Sequence, residues 1–410
     1  MFLYNLLLTA VSQLLPITAL FSRKMRLFVE GRKTVFETLA SAITASDKTI
    51  WVHAASLGEY EQGLPVIEKL RQRYPAHKIV LSFFSPSGYE VRRNNTVADV
   101  TVYLPLDTFK NAALFLRQVH PEMVFFIKYE YWPNYLKQLQ DARIPVYLIS
   151  GVFRPQQSFF KWYGGFYRKA LKAFTHFFVQ NETSRQLLNS IGIIEVTVSG
   201  DTRFDRVAAI LEKDNSLDFI EQFSRDTLTV VIGSSWPKDE QLLASYINSC
   251  RAGIKFIIAP HNIKTEQIAA LQKSISRKSI LFSEKEGKDL SQYDLFIIDT
   301  IGILTKIYSY ADIAYVGGGF GNPGVHNILE PATFGVPIII GPKYSHFAEA
   351  TALVQMGGCI SITNEQELQQ AFDNLIGNED VRYEKGHICS TFVQMNKNAT
   401  EIIMKQLGND

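Results

Sequence analysis

The chain has 410 residues, 46% of them hydrophobic and 20% charged, with 42 basic against 40 acidic side chains and a net charge of +2. That length exceeds one ordinary core and predicts two domains; the composition excludes a disordered chain. The near balance of charge excludes a nucleic-acid binder held mainly by phosphate contacts.

In chain order, the first segment is "MFLYNLLLTAVSQLLPITALF", residues 1–21, which holds no charge. Arg23, Lys24, Arg26, Arg32 and Lys33 follow it. A cleavable signal peptide carries its positive charges before the apolar run, not after it. Asn5, Ser12, Gln13 and Pro16 make a poor spanning helix. The favoured reading of residues 1–33 is a membrane-associating helix with cations for anionic headgroups; a helix packed on a domain core is the alternative. Either membrane reading leaves the basic flank, and the rest of the chain, on the cytoplasmic side.

Seven apolar runs then alternate with amphipathic stretches: "TIWVHAAS", "KIVLSFF", "VTVYLPL", "MVFFIKY", "IPVYLIS", "HFFVQ" and "VTVSG". Short continuous apolar runs between helical patterns read as buried parallel strands. They define a first Rossmann-like domain over residues 34–208. A polar, charged segment at 209–225 reads as a linker. A second series follows over 226–385, "LTVVIGSS", "KFIIAPH", "ILFSE", "LFIIDT", "IAYVGGG", "VPIIIGP" and "CISIT". Residues 386–410 read as a last helix that returns to the first domain. The fold class is therefore α/β, with two doubly wound domains facing a central cleft at their strand C-terminal ends.

The halves open alike, "IWVHAASLGEYE" and "TVVIGSSWPKDE", each a strand, small residues and an acidic helix start. In "HAASLGEYEQGLPV", Glu59 either begins a helix or does chemistry. Pro65 suits a first helical turn, which predicts a helix from about Leu64 and leaves Glu59 in the loop before it.

The most specific stretch is residues 314–342, "AYVGGGFGNPGVHNILEPATFGVPIIIGP". Gly317–Gly319, Gly321 and Gly324 let the backbone approach a ligand, and the amides opening the next helix attract a phosphate. Glu330, one turn in, is placed to accept ribose hydroxyls. Three glycines alone equally describe a tight turn.

Ten motifs in order, "HAASLGE", "SPSGYE", "YLPLD", "YEYWPN", "QNETS", "SGDTRFD", "APHN", "DTIGIL", "VGGGF" and "HNILEPA", resemble the Kdo transferases. These are GT-B glycosyltransferases that move 3-deoxy-D-manno-octulosonic acid (Kdo) from CMP-Kdo onto a lipid A precursor. The resemblance runs essentially the full length. It implies an inverting transfer in lipopolysaccharide biosynthesis at the cytoplasmic face of the inner membrane, with no cofactor, no metal and no nucleic-acid partner.

By that resemblance Glu59 is the general base, and Lys128, Glu130 and Arg203 are further catalytic positions. The CMP site falls on Pro260, His261, Ile301, Gly302, Ile303, Asn327, Ile328, Leu329 and Glu330. Ser234 and Ser235 are second-rank phosphate contacts, and His326 either reaches the phosphate or caps a helix. The chain departs from the family at Lys128 and Ile303, where an acid is usual, at His261, where arginine is common, and at Arg203, where the family has lysine. A basic entrance for the anionic acceptor is expected from Arg92 and Arg93 with Arg23, Lys24 and Arg26. The aromatic-basic stretch 153–174 reads as an interfacial surface or as core.

Overall fold

A computed structural model of the chain describes residues 2–225, 227–322 and 324–408. Met1 of the apolar segment, Asp226 at the head of the second domain, Pro323 of the glycine-rich stretch, and Asn409 and Asp410 of the last helix lie outside the described residues. The chain folds as two units, Met1–Arg206 with Lys397–Asp410, and Val207–Asn396.

The first unit holds β1 (Lys48–Ala54), β2 (His77–Phe83), β3 (Val100–Tyr103), β4 (Pro121–Ile127), β5 (Val146–Gly151), β6 (His176–Val179) and β7 (Val196–Val198). They form one sheet in the order β3-β2-β1-β4-β5-β6-β7, parallel throughout. Side chains alternate across it. Ile50, Val52 and Ala54 enter one core with Val66, Ile67 and Leu70 of the helix Leu57–Arg73, while Trp51 enters the other with Phe115, Phe126 and Tyr135. A sheet buried on both faces explains why its strands read as continuous apolar runs. The strand order reverses between β1 and β4, and in such sheets ligands sit beyond the strand ends at that point.

The second unit repeats the plan with β8 (Thr229–Ser235), β9 (Lys255–Pro260), β10 (Ser279–Leu281), β11 (Leu295–Ile297), β12 (Ile313–Val316), β13 (Ile338–Ile340) and β14 (Cys359–Ser361), ordered β10-β11-β9-β8-β12-β13-β14. Its reversal lies between β8 and β12.

Four expectations are corrected. The helix at Glu59 runs Leu57–Arg73, not from Leu64. Ser56 caps it by accepting from the Glu59 amide, and Pro65 sits inside it. The segment 209–225 is no free linker, because the helix Asp218–Ser224 buries Ile220 and Phe223 in the second unit. The last helical stretch is broken: Glu379–Asn396 ends, Asn398 takes φ +90°, and Ala399–Gln406 follows in the first unit. There Ile403 and Leu407 join the core of Val66, Ile67 and Leu70, and Asp205 accepts from the Asn398 and Thr400 amides. Finally, Arg32 is not a headgroup cation. It is clamped by the carbonyls of Phe28, Leu104 and Phe84, with its guanidinium carbon 3.6 Å from the centre of the Phe28 ring.

The apolar segment forms the helix Phe2–Ala19, tied to the first unit by Tyr4 donating to Asp107 at 2.8 Å and Asn134 donating to Asn5 at 2.7 Å. Among the described residues no helix is long and apolar enough to cross a membrane.

Candidate functional site

The site in the first unit begins with the turn out of β1. Gly63 lets the helix Leu57–Arg73 lie against β4, since a Cβ there would stand 2.0 Å from Ile127 Cδ1. In the first turn of that helix the Glu59 carboxylate reaches back and accepts from the Ala55 amide at 2.5 Å. It is also pushed up to about 7. Burial is the main cause and the negative Glu130 the second, with the Ala55 amide and positive Lys128 pulling the other way.

Lys128 and Glu130 follow β4, across the reversal from Glu59. Lys128 takes φ +71°, a left-handed conformation costly for a side-chain-bearing residue, and its amide donates to the Ile149 carbonyl of the neighbouring strand. Glu130 is buried. Its Oε2 accepts from Trp132 Nε1 at 2.6 Å and lies 3.1 Å from His53 Nε2.

Behind it the polar groups form a closed chain. Trp51 Nε1 donates to Ser82 Oγ at 2.8 Å, and Ser82 Oγ stands 2.8 Å from His53 Nδ1. With Ser82 Oγ–H directed to Nδ1, His53 Nε2–H donates to the Glu130 carboxylate and every buried donor has an acceptor. Three elements thus fix Glu130 beside Glu59. His53, Ser82 and Trp132 were not among the expected site residues. His53 and Trp132 stand within quoted motifs, but only the β1–β2 register, which pairs His53 with Ser82, reveals the contact.

Arg203 stands on the helix Thr202–Ala208. Its Nε donates to Asp201 at 2.8 Å, and Asp201 in turn accepts from Gln62 at 2.7 Å. Its charge is therefore shared with a carboxylate. Arg92 is likewise committed: it pairs with Glu61 at 2.6 Å, and Glu61 also pairs with Arg206 at 2.6 Å. The expected basic entrance loses Arg92 as a free cation. The stretch 153–174 divides, with Phe153, Phe159 and Phe174 buried in the core and Trp162, Tyr163 and Tyr167 exposed.

In the second unit the candidate residues gather at strand ends. Pro260 ends β9, and His261 follows it, its amide donating to Ser235 at the end of β8. The glycine run after β12 is dictated by backbone contact. A Cβ on Gly317 would meet the Ser234 carbonyl oxygen at 2.4 Å, and one on Gly319 would meet Gly341 at 2.7 Å. Asp239, fully buried, holds this loop to the helix Pro237–Ser249 by accepting from the amides of Trp236 and Gly318 and from the Tyr315 hydroxyl, each at 2.9 Å.

Asn327 stands before the short helix Leu329–Thr333; it accepts from the Leu329 amide and donates to Glu330 at 3.0 Å. The other Glu330 oxygen accepts from Thr305 at 2.8 Å, which joins Glu330 to the segment just after Ile303. Ile328 and Leu329 are buried, so only their backbone serves a ligand, whereas the Ile301 side chain is exposed. Gly302, at φ +94°, supplies the turn between Ile301 and Ile303. Among the described residues no group of three or more His, Cys, Asp or Glu side chains is placed to hold a metal ion.

Two doubly wound parallel sheets, one with a carboxyl raised to about 7 at its reversal and the other with glycine-lined strand ends, are the architecture of the GT-B fold. Residues 30–206 match the family model described as 3-deoxy-D-manno-octulosonic-acid transferase (kdotransferase). Over those residues the chain is similar to that family. It is 28% identical over 389 residues to a 3-deoxy-D-manno-octulosonic acid transferase of Chlamydia trachomatis, covering 91% of this chain and 88% of the relative. It is 27% identical over 357 residues to that of Chlamydophila psittaci, covering 82% and 81%. Among solved structures, UDP-GlcNAc 2-epimerase from Neisseria meningitidis superposes with a TM-score of 0.62 at 16% identity, over 88% of this chain and all of the other, a likeness of fold.

Proposed function

We propose that the chain transfers Kdo from CMP-Kdo to a hydroxyl of a lipid A precursor, with inversion, and that Glu59 is the general base. The observation that carries the base assignment is the Glu59 carboxyl held at about 7 at the strand-order reversal. A base of that strength is about half ionised at neutral pH and takes a proton usefully in the transition state.

The reacting carbon of Kdo is an anomeric ketal centre, so its transition state is oxocarbenium-like. As the bond from that carbon to the CMP phosphate oxygen breaks, CMP leaves with the electron pair. The acceptor oxygen forms the new bond on the opposite face, and its proton passes to Glu59. Glu130 is the poorer candidate, because His53 and Trp132 already occupy its Oε2. Its role is to keep Glu59 basic through its negative charge. Lys128 supplies positive charge for the Kdo carboxylate or the CMP phosphate, and Arg203, oriented by Asp201, supports the departing negative charge. CMP is held by the second unit through Pro260, His261, the 301–303 loop and the 327–330 segment. The acceptor belongs to the first unit, which the exposed apolar helix Phe2–Ala19 attaches to the cytoplasmic face of the inner membrane.

Mass-detected transfer from CMP-Kdo to a tetraacylated lipid A precursor tests the reading. The expected product is the precursor enlarged by Kdo, formed orders of magnitude more slowly by Glu59→Gln. Absence of transfer by the native chain, with turnover of a UDP-sugar instead, would overturn it.

A further inference from the structure

Beyond β8 in the second unit, three rings meet. The indole of Trp236 and the imidazole of His326 lie 8° from parallel with centroids 6.2 Å apart, and Trp236 Nε1 donates to His326 Nε2 at 2.8 Å. The two rings are therefore side by side in nearly one plane. His261 stacks across both, 4.6 Å from Trp236 at 16° and 4.5 Å from His326 at 24°.

This arrangement decides where the proton on His326 sits. An indole N–H only donates, so the nitrogen that receives it must present a lone pair. An imidazole with a bare Nε2 is neutral and carries its hydrogen on Nδ1. The ring is fixed from its other side as well. The His326 amide donates to the Gly317 carbonyl at 3.1 Å, and a Cβ on Gly318 would lie 2.9 Å from His326 Cδ2, so glycine there keeps the Cδ2–Nε2 edge clear for the indole.

Charged neighbours are few. Asp239 holds the Trp236 and Gly318 amides, Glu240 accepts from Ser235, Glu330 is reached through Asn327, and Lys343 contributes its carbonyl to the Val325 amide. Burial first, then His261, hold His326 below its ordinary range, and Asp239 opposes them. Burial lowers His261 also. Both imidazoles are thus neutral at pH 7, and no described residue accepts from Nδ1 of His326.

We infer that Trp236 is a positioning residue of the nucleotide site: it locks His326 as a neutral Nδ1–H donor, and that hydrogen serves a phosphate oxygen of the bound nucleotide. The inference rests on the donor-site reading above for its ligand, but not for the lock itself. A fixed neutral donor binds phosphate without proton uptake, so the site keeps its affinity as the pH rises through the ordinary histidine range.

The test uses the full chain with 15N-labelled histidine, His326→Gln identifying the resonances. In the native protein without ligand, Nδ1 is expected to be protonated and Nε2 bare. In Trp236→Phe the Nε2–H tautomer gains population, His326 titrates at higher pH, and CMP binding weakens about tenfold at pH 8 with partial recovery at pH 6. Trp236→Gln, which returns an N–H donor, is expected to restore part of the lock. An Nε2–H tautomer in the native chain, or a Phe variant with unchanged tautomer and pH dependence, overturns the inference. CMP that binds without moving the Nδ1 resonance overturns its phosphate role. Failure of CMP to bind the native chain at all, with the lock intact, sinks the donor-site reading instead.

Discussion

Glu59 and Asp239 occupy matching places, the first turn of the helix that follows the opening strand of each unit, and chemistry separates them. Asp239 has all its work inside the fold, with two amides and a tyrosine hydroxyl as donors. Glu59 is held by backbone amides alone, chiefly that of Ala55, and has a carboxylate neighbour that raises it. Two consequences follow for pH. The rate should rise with pH through about 7 as Glu59 ionises. Lys128→Met removes a charge that lowers Glu59 and moves this limb to higher pH, while Glu130→Gln moves it lower; shifts in the reverse senses would refute the assignment. Glu59→Gln should retain CMP binding and lose about 10²–10⁴-fold or more in transfer. Stability moves the opposite way. A carboxyl raised in the folded state costs stability as pH climbs from its unfolded value through 7, so the Gln variant should be more stable by roughly 1–3 kcal/mol at pH 8 and equal near pH 4. Denaturant titrations at the two pH values measure it.

At the scale of elements, the fourteen strands among the described residues coincide with fourteen apolar runs, because a strand covered on both faces has few polar positions to interrupt it. The helix carrying the base was less legible. Pro65 suggested a start near Leu64, but the Ser56 cap and the backward reach of Glu59 begin the helix two turns earlier, and the proline is tolerated in its interior. The polar chain behind Glu130 was not legible at all. His53, Ser82 and Glu130 come from three separate segments, and only the parallel register brings them together. Glu61 shows how near neighbours diverge. Two residues after Glu59 on the same helix, it joins Arg92 and Arg206 in one charge cluster. Glu61→Gln leaves two arginines short of their partner and should cost about 1–2 kcal/mol, discounted because both are partly solvated. It should leave the pH profile of transfer unchanged; an altered profile would place Glu61 in the proton path.

At the scale of the whole molecule, the first unit is made from both ends of the chain. Ile403 and Leu407 close its core, and the opening helix leaves its apolar surface uncovered. Leu6, Leu7, Leu14, Ile17, Leu20 and Phe21 are each more than half exposed, and Arg23, Lys24 and Arg26 stand exposed just beyond them. Tyr4 and Asn5 tie the start of that helix to Asp107 and Asn134, so the apolar stripe is held in place rather than free to fold under. Burying even half of each of those six side chains in a leaflet gains on the order of 5 kcal/mol, and the three cations add about 1 kcal/mol each on an anionic surface. Attachment of that make-up should survive high salt, since its larger part is apolar. Deleting residues 1–21 is therefore expected to move the protein from anionic vesicles to the supernatant in sedimentation, and 1 M salt alone should not. If the truncated chain stays with the vesicles, the attachment belongs to the exposed Trp162 and Tyr163 with Lys161 and Lys169, and the opening helix has another purpose.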